Sequence, residues 1–289
     1  MKTLTTPTLA LPFELGEPRS FGGLTILPLY PQRSSVEYIG LDEALARGLE
    51  ILEVDEHGVV EELHVKNPLD ELVLLYEGEE LVGAKQNRIV EWTILAEVHS
   101  KLTVPVHCVE RGRWAYRSQR FAPAAHAAAP ELRRHKRQAE VWAEVSTKSA
   151  RLGIASATDA HADLYTARAR SLDQYIEALP RLGGQSGALV AIAGEPVCLD
   201  FVSRPDVFAG LYRKLLRGYA LQAVERPVER PLRRRAVERF LAAIDRGSAQ
   251  IARTAGAGST LRYGGAVRGS ELSAFGELVA LTVYPGEAP

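Results

Sequence analysis

The chain has 289 residues, of which 46% are hydrophobic and 25% charged, and its formal net charge is −1. This composition is typical of a soluble globular protein and excludes collagen-like, coiled-coil and largely disordered classes. The near-zero charge argues against a general polyanion binder, and the two cysteines are too few for a disulfide framework. No stretch approaches 18 consecutive apolar residues and the N-terminus does not resemble a signal peptide, so we expect a cytoplasmic protein without a membrane span.

The first part of the chain has the pattern of strands. Residues 1–20, which contain three prolines, are predicted to form an extended leader. Short, β-branched, turn-bounded segments then predict five strands, at 24–30, 48–54, 59–65, 71–77 and 102–110. A short helix is predicted between the first two of these strands, at 41–49.

The rest of the chain mixes helices with strands. Apolar periodicity predicts four helices, over 131–153, from 158 or 159 to 180, over 206–223 and after Pro231. Strands are predicted on either side of Gly194 and again near the C-terminus. The alanine-rich stretch 122–130 is interpreted as a linker within one fold.

These elements predict an α+β fold with a mixed, mostly antiparallel sheet and about four packed helices. We expect a single domain over 21–289, β-rich over 21–121, helical over 131–180 and mixed over 183–285. Strands are predicted near both ends of the chain, so the terminal strands can belong to the same sheet.

A run of four polar residues, Lys85, Gln86, Asn87 and Arg88, interrupts the apolar pattern of residues 71–95. In a strand, successive side chains face opposite sides, so burial of either face would bury a polar pair. An unpartnered buried amide costs roughly 1–3 kcal/mol and a charge costs more, so such residues are tolerated mainly where a ligand or a network supplies partners. The alternative is a hairpin tip or a sheet edge in water.

A second polar group, Glu110, Arg113 and Trp114, follows the strand at 102–110. An arginine fork fits phosphate oxygens and an indole stacks on a base, which are the contacts that a nucleotide requires. A simple ion pair between Glu110 and Arg113 is the alternative. Asp200, which ends an apolar strand, and Glu110 are the candidate groups for proton transfer.

Metal ligands show no recognisable spacing. The seven histidines are scattered, and the trio Asp159, His161 and Asp163 lies near a predicted helix start, where the three side chains cannot all point one way. We therefore predict no metal site and no cofactor.

Four blocks of sequence together resemble one bacterial and archaeal family: GEELVGAKQNR, VPVHCVERGRW, GQSGALVAIAGEPVCLDF and LYRKLLRGYALQA. This uncharacterised family is named for its association with ADP-ribosylglycohydrolases and rhodanese-phosphatase-superfamily proteins. The resemblance covers most of the chain, and the KQNR and CVERGRW blocks are its specific parts. It implies a cytosolic protein working beside enzymes that process ADP-ribose, and it implies no activity or set of catalytic residues.

The residues and the resemblance together favour binding or processing of an ADP-ribose-like nucleotide or its conjugate. In this hypothesis Lys85, Arg88 and Arg113 neutralise pyrophosphate, Trp114 stacks, and the amides of the polar run bind ribose or base. The alternative is a non-catalytic scaffold or adaptor that partners ADP-ribose-processing enzymes. RNA binding by the basic helices ranks last, no membrane partner is expected, and neither enzymatic activity nor an oligomeric state follows from the sequence.

Overall fold

The computed structural model describes residues 12–32 and 35–286 of the chain. Strands account for 37% and helices for 27% of the structure, and the sheets are mostly antiparallel. The predicted α+β class is therefore confirmed. No helix in the described parts of the chain is long and apolar enough to cross a membrane.

The described residues form eighteen strands and seven helices. The strands are β1 (Phe13–Leu15), β2 (Arg19–Phe21), β3 (Leu24–Pro31), β4 (Ile39–Gly40), β5 (Glu50–Glu53), β6 (Glu62–Asn67), β7 (Val73–Leu75), β8 (Glu79–Gly83), β9 (Arg88–Val90), β10 (Ile94–Ala96), β11 (Ser100–Cys108), β12 (Phe121–Ala127), β13 (Gly187–Ile192), β14 (Glu195–Val202), β15 (Ser248–Ala252), β16 (Ser259–Gly264), β17 (Val267–Ala274) and β18 (Glu277–Pro285). The helices are α1 (Leu41–Ala46), α2 (Pro130–Arg133), α3 (Gln138–Leu152), α4 (His161–Ala167), α5 (Ala169–Ala178), α6 (Pro205–Glu225) and α7 (Arg234–Asp245). The predicted helix at 131–153 is divided into α2 and α3, and the one ending at 180 is divided into α4 and α5. The other two of the four predicted packed helices correspond to α6 and α7, and the short predicted helix at 41–49 is α1.

The largest sheet has nine strands and contains elements from both ends of the described chain. Its order is β1–β3–β13–β14–β18–β17–β16–β15, with β2 paired to β3. β13 and β14 form a tight hairpin, in which Ala193 and Gly194 have φ angles of 51° and 82°. Two positive φ angles are the signature of the two-residue turn that matches the natural twist of paired strands. Through this hairpin, β3 near one terminus is joined to β18 near the other.

Two smaller sheets complete the β structure. A six-stranded sheet has the order β12–β8–β9–β11–β6–β5, and a three-stranded sheet has the order β10–β7–β4. Within the described residues, β4 and β7 form the one parallel pair. β8, β9 and β11 carry or immediately precede most of the residues predicted to form a site, so the six-stranded sheet positions them.

Helices cover both faces of the nine-stranded sheet. On one face α6 buries Phe208 and Leu215 in a core that also contains Val190 of β13. On the other face α7 packs Phe240 against residues that include Leu189, the neighbour of Val190. Adjacent residues of a strand point to opposite faces, which is why this strand serves two cores. α6, which corresponds to the helix predicted at 206–223, is thus a core helix.

Two sequence interpretations change. The alanine-rich stretch 122–130 is not a linker, because its first part forms β12, which pairs with β8. Small alanine side chains allow α6 to approach closely, and a Cβ on Gly218 would lie 2.7 Å from the carbonyl oxygen of Ala127. The second change concerns the predicted extended leader at 1–20. Its residues 1–11 lie outside the described residues. Its later part contributes to β1 and β2, which both pair with β3 in the sheet.

Candidate functional site

Residues 85–88, which we call the polar hairpin, lie at the junction of β8 and β9. β8 ends at Gly83, whose φ angle of 122° favours glycine and turns the chain. All four side chains of the polar hairpin are buried, with exposed fractions of 8% or less. The sequence analysis gave a hairpin tip in water as the alternative for these residues. They do form a hairpin tip, but the tip is buried inside the protein.

Glu110 and Arg113 pack directly against the polar hairpin. Arg113 Nη2 donates to Glu110 Oε2 at 2.6 Å and to Asn87 Oδ1 at 3.2 Å. The Glu110 carboxylate also accepts the backbone N–H of Asn87 at 3.1 Å and the hydroxyl of Thr158 at 3.0 Å. Burial disfavours the charge of Glu110, but these hydrogen bonds outweigh burial and its pKa is lowered. Because Arg113 also donates to three backbone carbonyl oxygens, its fork is engaged within the protein.

The two other cations of this cluster lie close to Trp114. Lys85 Nζ is 5.2 Å and Arg88 Cζ 5.8 Å from the centre of the indole ring, which is 48% exposed. Lys85 also donates to two backbone carbonyl oxygens of the β5–β6 loop. Arg88 Nη1 donates to Gln86 Oε1 at 3.1 Å, and burial lowers the pKa of Arg88. Seven of the eight predicted site residues thus form one connected cluster.

Asp200 lies apart from that cluster, in a buried network of its own. Its two carboxylate oxygens accept Arg133 Nη1 and Nη2 at 2.9 and 2.7 Å. The hydroxyls of Tyr76 and Tyr219 donate to the same carboxylate at 2.9 and 2.6 Å. Burial opposes ionisation of Asp200, but the Arg133 charge outweighs burial and the pKa is lowered. The carboxylate therefore neutralises a buried guanidinium in the core.

A cavity of about 650 Å³ opens elsewhere, between the six-stranded sheet and β16. Its wall carries charged side chains of both signs, together with the indole of Trp92 and the imidazole of His107. The cations are Lys136, Arg253 and Arg262, and the carboxylates are Glu61, Glu62 and Glu91. Lys136 Nζ lies 4.0 Å and Arg262 Cζ 4.3 Å from the centre of the Trp92 ring. None of the eight predicted site residues lines this cavity.

Three ionisable groups of the cavity, His107, Glu91 and Lys136, have shifted pKa values. Burial, assisted by the charge of Lys136, lowers the pKa of His107 to about 4. Because of this low pKa the imidazole is neutral at pH 7. Among the described residues neither ring nitrogen has a hydrogen-bond partner, and Nε2 lies 3.9 Å from Glu91 Oε1. Burial raises the pKa of Glu91 and lowers that of Lys136, although Lys136 pairs with Glu77 at 3.0 Å. Clefts with such perturbed groups are typical of functional sites.

The small-residue loop before β16 forms one side of the cavity. The backbone N–H of Ala257 donates to the carbonyl oxygen of Leu95 at 2.8 Å, which fixes the loop on β10. A Cβ on Gly256 would lie only 2.1 Å from that oxygen, so this close approach requires glycine. The loop thereby holds Thr254 and Ala255 in the cavity wall.

Three further buried residues, Glu80, His126 and His161, were not predicted as a group. Glu80 Oε2 lies 2.9 Å from His126 Nε2 and 2.7 Å from His161 Nδ1. Glu80 lies 46 positions before His126 and 81 positions before His161, so no motif spacing connects them. A signal was present for His126, which stands within an alanine-rich run where a polar residue requires a partner. Glu80 gave no such signal, because it follows Glu77 and Glu79 in an acidic stretch. Carboxylate and imidazole are ligands that a metal ion can use.

Comparison with known proteins identifies the family. The family model of the ARG and Rhodanese-Phosphatase-superfamily-associated Protein domain, ARPP-1, matches residues 12–284. The chain belongs to this family. Searches of the curated proteins and of the solved structures found no match. The resemblance predicted from the KQNR and CVERGRW blocks is therefore confirmed.

The ARPP-1 name links the chain to ADP-ribosylglycohydrolases and rhodanese-phosphatase-superfamily proteins. That link is an association, and it assigns no reaction, ligand or site residue to ARPP-1 domains. Three separate groups of polar side chains in this chain are candidates for function. They are the polar hairpin with Glu110 and Arg113, the cavity beside Trp92, and the cluster of Glu80 with two histidines.

Proposed function

We propose that this ARPP-1 protein binds an ADP-ribose-like nucleotide in the cavity beside Trp92. The observation that carries the proposal is the pair of guanidinium groups, Arg253 and Arg262, in the cavity wall beside an indole ring. Lys136 adds positive charge to the same wall but is already paired with Glu77. Guanidinium forks bind phosphate oxygens in pairs, and an aromatic ring offers contact area to a base. The cavity volume of about 650 Å³ lies within the roughly 300–1,000 Å³ range of small-molecule sites. The association of the family with ADP-ribosylglycohydrolases supports the same class of ligand.

The polar hairpin has a different role in this proposal. The sequence hypothesis assigned phosphate binding to Arg113, whereas its Nη groups already donate to Glu110, Asn87 and three backbone carbonyl oxygens. We propose that Arg113 and Glu110 hold the hairpin to the segment after β11. This segment leaves the strand that carries His107, so the network keeps the cavity wall in place.

Calorimetric titration with ADP-ribose tests the binding proposal. Replacement of Arg262 by Ala should weaken binding by roughly 1.5–3 kcal/mol, the usual contribution of a hydrogen bond to a charged group. Arg239→Ala on α7 is the matched control, because Arg239 is exposed and does not line the cavity. Adenosine, which has no phosphate, should bind more weakly than ADP-ribose. Equal affinities in Arg262→Ala and Arg239→Ala would contradict the proposal.

If the protein also hydrolyses the bound ligand, we propose His107 in the cavity wall as the general base. At pH 7 this imidazole is in its proton-accepting form, but a pKa of about 4 makes it a weak base, so turnover that relies on His107 should be slow. Incubation with ADP-ribose conjugates and chromatographic product analysis test this reaction. If His107 is the base, His107→Gln should retain ADP-ribose binding and lose turnover. Wild-type protein that binds the conjugate and leaves it intact would restrict the function to binding.

A second candidate function is that of a protein partner for an ADP-ribose-processing enzyme. The observation that favours it is the pair Trp114 and Tyr116, which are 48% and 46% exposed beside Lys85. Aromatic side chains of this kind are enriched at protein interfaces. A pull-down with an ADP-ribosylglycohydrolase tests this function, and Trp114→Ala should abolish capture. Equal capture by Trp114→Ala would exclude this surface.

A further inference from the structure

Glu80, His126 and His161 converge although they come from three separate elements. Glu80 is in β8, His126 is in the neighbouring β12, and His161 begins α4. The pairing of β12 with β8 is irregular between Pro123 and Ala127, which is a bulge that redirects the side chains between them. The local backbone thus brings His126 beside the carboxylate of Glu80.

The start of α4 is fixed by backbone contacts to the end of β11. The N–H of His161 donates to the carbonyl oxygen of Val109 at 2.8 Å, and Ala160 forms an isolated β-bridge with Glu110. His161 Nδ1 then lies 2.7 Å from the carboxylate of Glu80. The backbone contacts to Val109 and Glu110 therefore fix the position of the His161 imidazole beside Glu80.

The three ligand atoms form a compact, enclosed group. Glu80 Oε2, His126 Nε2 and His161 Nδ1 all lie within 4.8 Å of one another. Glu80 and His161 are fully buried, and His126 is 7% exposed. Among the described residues, Glu80 Oε1 has no hydrogen-bond partner, so the carboxylate retains one unsatisfied buried oxygen besides the Oε2 that contacts both imidazoles. Buried polar atoms of this kind require either a partner or a bound ion.

Tyr165 holds the two imidazoles in place. Its ring stacks on His126 with centroids 3.7 Å apart and an interplanar angle of 12°, and it meets His161 edge-on at 5.0 Å. Its hydroxyl donates to the carbonyl oxygen of Ala127 at 2.8 Å. Ring packing therefore orients both imidazoles. Among the described residues His161 Nε2 lacks the hydrogen bond by which metal-binding histidines are usually oriented.

We propose that Glu80, His126 and His161 bind a divalent transition-metal ion, with Zn²⁺ as the ion to test. Two imidazoles and one carboxylate are the ligand set of catalytic zinc sites and of mononuclear non-haem iron sites. Three protein ligands leave a coordination position open for water or another small ligand. This site is separate from the cavity beside Trp92 and does not depend on the proposed nucleotide function.

Metal content after equilibration with Zn²⁺ tests the proposal on the full chain. Chelator-treated protein is incubated with Zn²⁺, desalted and analysed by elemental mass spectrometry. Wild type and the control His57→Gln, which changes an exposed histidine, should each retain about one Zn²⁺ per chain. Glu80→Gln and His126→Gln should bind Zn²⁺ at least about tenfold more weakly. Wild-type protein that retains no Zn²⁺, or folded variants that bind it as tightly as wild type, would overturn the proposal.

X-ray absorption at the zinc edge identifies the ligands of the ion in the wild-type protein. It therefore tests the proposal even if the buried substitutions prevent folding. Zn²⁺-loaded wild-type protein should show scattering from two imidazole rings and from an oxygen ligand at about 2.0–2.1 Å. A zinc environment of oxygen ligands without imidazole would place the ion elsewhere and would overturn the assignment.

Discussion

Replacement of Asp200 by Asn should destabilise the protein more than most single substitutions in its core. Asp200 accepts two hydrogen bonds from Arg133 and one each from Tyr76 and Tyr219, and both members of the ion pair are fully buried. Asn keeps one acceptor oxygen but presents an NH₂ group to neighbouring donors, and it leaves the guanidinium without a counter-charge. Breaking a buried ion pair in this way costs roughly 3–5 kcal/mol.

Two further variants separate charge from hydrogen bonding. Tyr219→Phe removes one hydrogen bond to the carboxylate and should cost only roughly 1.5–3 kcal/mol. The double replacement of Asp200 by Leu and Arg133 by Met removes both charges, so it should be less destabilising than Asp200→Asn. Some loss remains, because the buried Tyr219 hydroxyl loses its acceptor. This order of the three variants is the result expected of a buried ion pair that stabilises by mutual compensation.

Urea unfolding, followed by tryptophan fluorescence, measures these free energies. The effect of Asp200→Asn should also depend on pH, because the pKa of Asp200 is lower in the folded protein than in the unfolded chain. The stabilisation is therefore present above the unfolded pKa, about 3.9, and is lost as the pH falls towards the folded pKa. A loss below about 1 kcal/mol at pH 7 would refute the reasoning, because it is less than one hydrogen bond to a charged group contributes.

Three other predictions follow from the same structure. Arg113→Lys and Glu110→Gln should each lower the melting temperature by roughly 3–10 °C while leaving ADP-ribose affinity unchanged, since Arg113 is engaged within the protein; a specific loss of affinity would restore the phosphate role. Leu215→Ala should cost roughly 2–5 kcal/mol in urea melts because Leu215 is 1% exposed, and a change under about 0.5 kcal/mol would be inconsistent with its packing. His107 has a folded pKa of about 4, so the unfolded chain binds more protons between about pH 6.5 and pH 4, and wild type should lose roughly 3 kcal/mol over that interval relative to His107→Gln. An identical pH dependence of unfolding in the two proteins would contradict that pKa.

Sequence periodicity predicted the regular elements well where local pattern and final environment agree. α6 carries its apolar stripe over five turns and is buried along that stripe, and the strand predicted at 24–30 is β3. The segment 122–130 failed because alanine has no strong strand pattern. Its strand conformation results from pairing with β8, which lies about forty residues earlier in the chain. Such a partner cannot be identified from the segment itself.

The candidate sites also differ in how far the sequence could predict them. Adjacent polar blocks predicted the cluster of Asn87, Glu110 and Arg113, because β9 and β11 pair directly. The cavity was not predicted, because its wall combines Trp92 and His107 with Arg262 from the opposite end of the chain. Cationic residues scattered over such distances look like ordinary surface charge until the fold brings them together.

The position of β18 in the nine-stranded sheet has a consequence for the order of folding during synthesis. β18 is the last described strand along the chain, yet it lies between β14 and β17 in the interior of the sheet. A ribosome that has not yet released residues 277–285 therefore holds a chain whose sheet is divided into two parts, each with an open edge. Open edges can pair with other chains, and long-range strand pairing is slow. We expect the nascent protein to depend on chaperones until this strand emerges, because only then can the two parts of the sheet join.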